Sequence, residues 1–334
     1  MYPSKHLLPL ITFTKIRKSS HTSCYFIIIL TNFLNMKILL ALHLGGKAFL
    51  ASSSADGTCK LWDCSRSGDG MEVQGPDSAM DVEGSGYGEG SDSKGGEQVI
   101  KREIKMEGGK AGGSAVGVGG STKLVHTFAG HQGPVNDCSF HPSGRYVGTA
   151  SNDYTWRLWD VETGKELLLQ DGHIKECTAI SFQPDGSLVL TADAAGVALL
   201  WDLRSGQQVQ VFQGHVKKIT SIAFNPNGFQ AASGSLDNMV RIWDLRKRKC
   251  SYCLPAHSNL ISDLCYSKSG EMLLTSSFDG TIKVWGYRDH QLLRSLSGHL
   301  GKVMSCDFSP LDEKHIVSGG FDRTIKLWAH KEEF

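Results

Sequence analysis

GHQGPVNDCSFHPSGRYVGTASNDYTWRLWD, residues 130–160, is the stretch on which the fold turns. Apolar and polar residues alternate over Val135–Phe140, Arg145–Ala150 and Thr155–Val161, the period of strands with one buried face. His141-Pro-Ser-Gly144 and Ser151–Tyr154 supply turn residues between them. Glu162-Thr-Gly164 makes a further turn before a fourth short strand, Glu166–Gln170. The block then repeats. Trp159 returns as Trp201, Trp243, Trp285 and Trp328, and Trp62 precedes it; the spacings run 97, 42, 42, 42 and 43 residues. His131 returns as His173, His215, His257 and His299, each 28 or 29 residues before its tryptophan. Gly precedes four of these histidines and Ala256 precedes His257, while Asp follows Trp at 62, 159, 201 and 243.

A period of 40–45 residues marked by Gly-His and Trp-Asp is the WD40 signature. The fold class expected is all-β: a WD40 β-propeller of about six blades, each with four antiparallel strands, carrying a long disordered insertion in one blade. Blades set radially around a channel leave only short, protected edges.

The repeated polar residues resemble the hydrogen-bonded set common in WD40 proteins. They map onto His131, Thr149, Asp153 and Trp159; His215, Ser233, Asp237 and Trp243; His257, Thr275, Asp279 and Trp285; and His299, Ser318, Asp322 and Trp328. A His/Asp/Ser trio also invites a catalytic reading, but one active site needs one triad, and this set occurs four times. It is read as structural, and no enzyme activity is expected. The blade ending at Trp201 departs, with Ala195 where the others have the turn Asp, so it is expected either to be the least rigid of the regular blades or to have a specialised surface.

The 97-residue gap is one period plus 55 residues, placed between the third and fourth strands of the first blade. Residues 36–63 read as the first part of that blade, 123–330 as propeller blades and 331–334 as a tail. Cys64 to Thr122 holds sixteen glycines, ten acidic residues and one aromatic, Tyr87. So little apolar surface cannot offset the entropy of ordering, and disorder is expected for 64–122. Within it, Ile100-Lys-Arg-Glu103 and Ile104-Lys-Met-Glu107 resemble SUMO-acceptor motifs, making Lys101 and Lys105 candidate modification sites. Residues 1–35 have two readings: a closing strand or sequence foreign to the protein. Tyr25–Leu34 is apolar, yet about ten residues is short for a membrane span. The last repeat needs a fourth strand from elsewhere, and Phe26–Leu30 is the candidate.

Lys+Arg number 35 and Asp+Glu 34, so nothing global points to a polyanion partner. Nine cysteines form no framework, and Cys250-Ser-Tyr-Cys253 lacks partners at metal-ligand spacing. No cofactor, small-molecule substrate or membrane is expected. Cys138 and Cys306 occupy matching repeat positions and read as small buried hydrophobes, which suits a reducing compartment.

His141-Pro-Ser-Gly-Arg145, Asp153-Tyr-Thr-Trp-Arg-Leu-Trp159, Trp243-Asp-Leu-Arg246 with Lys247-Arg-Lys249, Pro255-Ala-His257 and Gly301-Lys-Val-Met304 stand in one blade order. From Lys47 to Trp328, insertion excepted, the chain resembles the WD40 half of the pre-mRNA-processing factor four family. That resemblance implies seven blades, a helical N-terminal region with no counterpart here, and the nucleus. It also implies a non-enzymatic scaffold of the U4/U6 small nuclear ribonucleoprotein and tri-snRNP in splicing. The implied partners are spliceosomal proteins, notably a pre-mRNA-processing factor three-type subunit, with U4/U6 small nuclear RNA contacted mostly indirectly. Six tryptophan markers instead of seven leave two readings, a fragment lacking a blade or a flawed gene model.

Function should sit in what varies between repeats. Lys175, Lys217, Lys218, Asn259, Leu260 and Lys302 in the Gly-His loops, with Leu236, Phe278 and Phe321 at the following turns, form a candidate protein-binding face. Arg246, Lys247, Arg248 and Lys249 form a basic patch able to meet RNA phosphate, although no aromatic residue is interleaved there. Trp201-Asp-Leu-Arg204 and Trp243-Asp-Leu-Arg246 also fit the receptors of cullin-type ubiquitin ligases, which is the alternative reading.

Overall fold

A computed structural model describes residues 14–15, 25–26, 38–44, 47–63, 99–105, 123–309 and 313–330. It is an all-β propeller of six four-stranded antiparallel blades. Blade 2 contains Val135–Phe140, Tyr146–Ser151, Trp156–Asp160 and Glu166–Gln170, within a residue or so of the sequence expectation. Blades 3 to 5 repeat this order, from Cys177–Phe182 to Gln207–Gln213, Ile219–Phe224 to Lys249–Pro255, and Ile261–Tyr266 to Leu292–Ser297. Blade 1 is built from Ile38–Leu44, Lys47–Ser53, Thr58–Asp63 and, beyond the insertion, Lys123–Ala129.

No blade has a core of its own. Each apolar cluster lies between neighbours, because both faces of a radial sheet meet another sheet. Phe128 of blade 1 packs on Trp159 of blade 2, Trp156 on Trp201, and Phe212 on Trp243, with ring centroids 5.4, 5.8 and 5.2 Å apart. Cys138 and Cys306 are buried in two of these seams, as free Cys in a reduced core should be.

Hydrogen bonds also stitch blade to blade from blade 2 to blade 6. In blades 2 to 5 the second residue of the inner strand donates to the next blade's first inner carbonyl: Asn136 Nδ2 to Cys177, Thr178 Oγ1 to Ile219, Thr220 Oγ1 to Ile261 and Ser262 Oγ to Val303, all at 2.7–2.8 Å. A second ladder runs at the other end of the strands. There His141 Nε2 meets the Gly186 carbonyl at 2.9 Å, Gln183 Nε2 donates to Gly228 at 2.8 Å and Asn225 Nδ2 to Gly270 at 3.1 Å. Each bond contributes about 0.5–1.5 kcal/mol net to a seam otherwise packed mainly by apolar side chains.

Two expectations are corrected at the last blade, formed by Val303–Phe308, Ile316–Gly320 and Thr324–His330. Its fourth strand is not Phe26–Leu30; Tyr25–Phe26 pairs instead with Thr14–Lys15. The fourth strand is Val99–Lys105, from inside the insertion, antiparallel to Thr324–His330 through seven residue pairs. An unpaired outer edge recruits any segment that can reach it in extended form. The insertion's one β-prone run, Val99-Ile-Lys-Arg-Glu-Ile-Lys105, does so. Lys101 and Lys105 therefore stand on a paired strand, not in the disordered loop expected for them. The rest of 64–122, most of 1–35 and the 331–334 tail lie outside the described residues.

Candidate functional site

The repeated polar residues build one unit in each of blades 2 to 6. In blade 2, His131 Nδ1 meets Asp153 Oδ2 and His131 Nε2 meets Thr149 Oγ1, both at 2.8 Å, while Trp159 Nε1 donates to Thr149 Oγ1 at 2.9 Å. His215, Asp237, Ser233 and Trp243 repeat this, as do His257, Asp279, Thr275 and Trp285, and His299, Asp322, Ser318 and Trp328. The hydroxyl is shared between histidine and tryptophan, so it ties the loop to the third strand. Among the described residues, blade 1 keeps only the Trp62 Nε1 to Ser52 Oγ bond of this set, at 3.1 Å.

The blade ending at Trp201, which has Ala195 where the others have the turn Asp, completes the unit by another route. Asp193, two residues upstream of Ala195, supplies the carboxylate: its Oδ2 lies 3.1 Å from His173 Nδ1. His173 Nε2 and Trp201 Nε1 both reach Thr191 Oγ1, at 2.7 and 2.8 Å. Asp193 Oδ1 also accepts the N–H groups of Ala195 and Val197, so the turn is capped as in the other blades.

Burial pushes the imidazoles of His131, His215 and His257 below their ordinary 6.5, with the partner aspartate pulling the other way. Burial alone would raise the Asp153 and Asp322 carboxyls. Donation from Thr155 and His131 to Asp153, and from Thr324, the Leu300 N–H and His299 to Asp322, outweighs it and holds both at about 2. The sign follows from which state binds protons. Unfolded histidines protonate as pH falls below about 6.5 while the folded ones resist, so stability is complete above that pH and is lost below it. A second loss comes below 3.8, where unfolded aspartates take protons that Asp153 and Asp322 still refuse. Melting temperature followed by calorimetry is expected to fall steadily from pH 7 to 5; a rise over that interval would contradict the burial of neutral histidine.

The Gly-His loops and the second-to-third-strand turns occupy one end of the strands and present the candidate face. Leu236 N–H donates to the Lys218 carbonyl, Phe278 N–H to Leu260 and Phe321 N–H to Lys302, so each blade pairs one loop residue with one turn residue. Lys302 Nζ stands 4.7 Å from the Phe278 ring centroid and 5.9 Å from that of Phe321, joining blades 5 and 6. Lys175, Lys217 and Asn259 are exposed; Lys218 is half-buried, and burial lowers its ammonium pKa against the pull of Glu176. Blades 2 and 3 carry Pro134 with Asn152 and Glu176 with Ala194 at the paired positions, so the apolar and cationic sector belongs to blades 4 to 6.

Sequence reasoning missed three residues here. Ile174, Val216 and Leu300 are 87, 84 and 93% exposed. Each follows a repeat histidine. In four blades the N–H at that position donates to the turn aspartate, as from Val216 to Asp237 and Leu300 to Asp322. With the Val216 and Leu300 backbones so held, their side chains project outward. An apolar residue directly after the repeat histidine was the available signal. The basic patch lies at the other end of the strands, in the third-to-fourth-strand turn of blade 4, and Arg246 to Lys249 are all exposed. No aromatic residue is interleaved within the patch, but one meets it in space: the Arg246 guanidinium lies 4.7 Å from the Phe229 ring centroid.

Among the described residues no group of three or more His, Cys, Asp or Glu side chains is placed to hold a metal ion. The family model described as "WD domain, G-beta repeat" matches residues 41–63, 122–160, 164–202, 206–244, 248–286 and 290–329. Among curated proteins, U4/U6 small nuclear ribonucleoprotein PRP4 of Saccharomyces cerevisiae is 49% identical over 53 residues, 16% of this chain and 11% of that protein. The guanine nucleotide-binding protein subunit beta of Arabidopsis thaliana is 43% identical over 53 residues, 16% of this chain and 14% of that protein. Human WD repeat-containing protein 36 is 45% identical over 42 residues, 13% and 5% of the two chains. The aligned stretches thus cover a small part of each relative, about one repeat.

Proposed function

The chain belongs to the WD40-repeat family, and on that premise we propose that it is a non-enzymatic scaffold of the U4/U6 small nuclear ribonucleoprotein, acting in the nucleus in pre-mRNA splicing through protein contacts. The observation that carries this reading is the division of labour on the Gly-His end. The polar constants are consumed inside the blades, each histidine and aspartate saturated by its own unit. What remains outward is Val216, Lys217, Leu300, Lys302 and Phe321, a mixture of large apolar and cationic groups. Such a surface suits a protein partner with apolar anchors and carboxylates, since dispersed lysines steer encounter while apolar side chains supply burial. The 49% identity to the yeast U4/U6 protein supports the particle, as do His141-Pro-Ser-Gly-Arg145 and Pro255-Ala-His257. The pre-mRNA-processing factor three-type subunit is the partner proposed for this face.

The test is affinity purification of the tagged chain from nuclear extract, against a Lys302→Glu/Phe321→Ala variant with an unchanged melting profile. U4 and U6 small nuclear RNAs and their proteins are expected with the wild type and at least tenfold less with the variant. Recovery of a cullin-ligase adaptor in their place would move the assignment to the Trp-Asp-Leu-Arg motifs at 201–204 and 243–246.

A further inference from the structure

We propose that the Arg246–Lys249 turn and the aromatic rings folded against it form a binding site for single-stranded RNA, on the propeller end opposite the Gly-His loops.

The first observation is positional. The third-to-fourth-strand turn needs a left-handed residue near its end. Blades 2 and 3 place Gly164 and Gly206 there, at φ 71° and 66°. Blades 4 and 5 place Arg248 and His290 at the same repeat position, both at φ 54°. A side chain in that conformation is disfavoured over glycine. Blades 4 and 5 thus accept local strain where their neighbours do not, and the residues gained are a cation and a flat ring. Such outliers gather where a ligand is bound.

Next come the rings. Phe229, from the first-to-second-strand turn of blade 4, is half exposed and carries the Arg246 guanidinium 4.7 Å from its centroid. Tyr252 of the blade 4 outer strand stacks on His290 of blade 5, with centroids 4.4 Å apart and planes 29° from parallel. Tyr287 reaches across the same seam, its hydroxyl accepting from Asn227 Nδ2 at 3.0 Å. Two aromatic platforms, Phe229 and the Tyr252–His290 pair, therefore flank one basic turn.

Charge is the third. Asp244 lies beneath the turn but is committed to it, accepting the N–H groups of Arg246 and Lys247 with its side chain 4% exposed. Glu271 stands 3.9 Å from Arg288, and Asp289 accepts the Gln291 N–H. Among the described residues Arg248 and Lys249 have no carboxylate within ion-pair distance, so their charge faces solvent. Cations that track phosphates beside rings that stack bases are the two parts of a single-strand site tolerant of sequence. An acidic protein segment would use the cations but leave the stacked rings without a role.

The measurement is fluorescence anisotropy of the purified full chain with fluorescein-labelled 15-nucleotide oligouridylate and oligoadenylate, a 15-base-pair RNA duplex and a 15-residue oligoglutamate. Single strands are expected to bind more tightly than the duplex or the peptide. Their affinity should fall by about 20-fold between about 50 and 200 mM salt, as for three phosphates neutralised on a single strand. Tyr252→Ala should weaken single-strand binding about tenfold. The sharper variant is Arg248→Gly, which removes a cation and relaxes the turn. It should weaken RNA several-fold while the melting temperature holds or rises by about 2–4 °C. Lys175→Ala and Lys302→Ala, on the opposite end, should bind RNA as wild type does. Arg248→Gly with full affinity, or oligoglutamate bound as well as RNA, overturns the proposal. The site is independent of the splicing scaffold reading, because both probe and face differ from those in the purification experiment.

Discussion

Trp243→Ala is expected to lower stability by about 3–5 kcal/mol, a range typical of truncating a buried tryptophan. Trp243 is 1% exposed and lies in the seam between blades 3 and 4, beside Phe212, Leu190 and Ile222. Its loss opens a cavity that two hydrogen-bonded sheets can close only partly, and it removes the 2.8 Å donation to Ser233 Oγ. Calorimetry should show a fall in melting temperature of roughly 6–20 °C for a domain of this size. Trp62→Ala supplies the internal control. Trp62 is only half-buried, and its blade has Leu34 where the others have histidine. It should cost less than half as much; equal losses would mean that seam burial does not set the hierarchy.

The second large effect is expected at the exceptional blade. Asp193→Ser installs the residue its siblings carry at that position, as Ser151 and Ser235 do, but leaves Ala195 at the turn. His173 Nδ1 and the N–H groups of Ala195 and Val197 lose their acceptor together. Each buried donor left without its acceptor costs about 1–3 kcal/mol. The double variant Asp193→Ser/Ala195→Asp recreates the Ser151/Asp153 arrangement and should recover most of that loss. Chemical denaturation of the wild type, both single variants and the double variant completes the cycle. Additive effects, with no recovery in the double variant, would show that Asp193 acts other than as the blade's relocated carboxylate.

This blade also marks how far pattern reading reaches. The repeat register placed His173 and Trp201, because each is a fixed number of residues from its counterparts. It could not place Asp193, since the carboxylate came from the neighbouring strand position and only side-chain direction reveals that both routes end at the same imidazole. Ile174, Val216 and Leu300 were similarly hidden. They are ordinary apolar residues in sequence, and at Val216 and Leu300 the exposure follows from an N–H held by an aspartate some twenty residues away.

The 42-residue period and its Gly-His and Trp-Asp markers determined the all-β propeller, the strand order within a blade and the repeated His, Asp, hydroxyl and Trp units. They are local patterns, written into every repeat, and each repeat folds by the same rules. Tertiary structure alone decided which strand completes the last blade, where the Trp201 blade finds its carboxylate and which aromatic rings surround the basic turn. Those outcomes depend on contacts between residues far apart in the chain: Val99–Lys105 beside Thr324–His330, and Tyr252 on His290. A repeat pattern describes a blade, but an edge, a seam and a surface exist only once blades stand side by side.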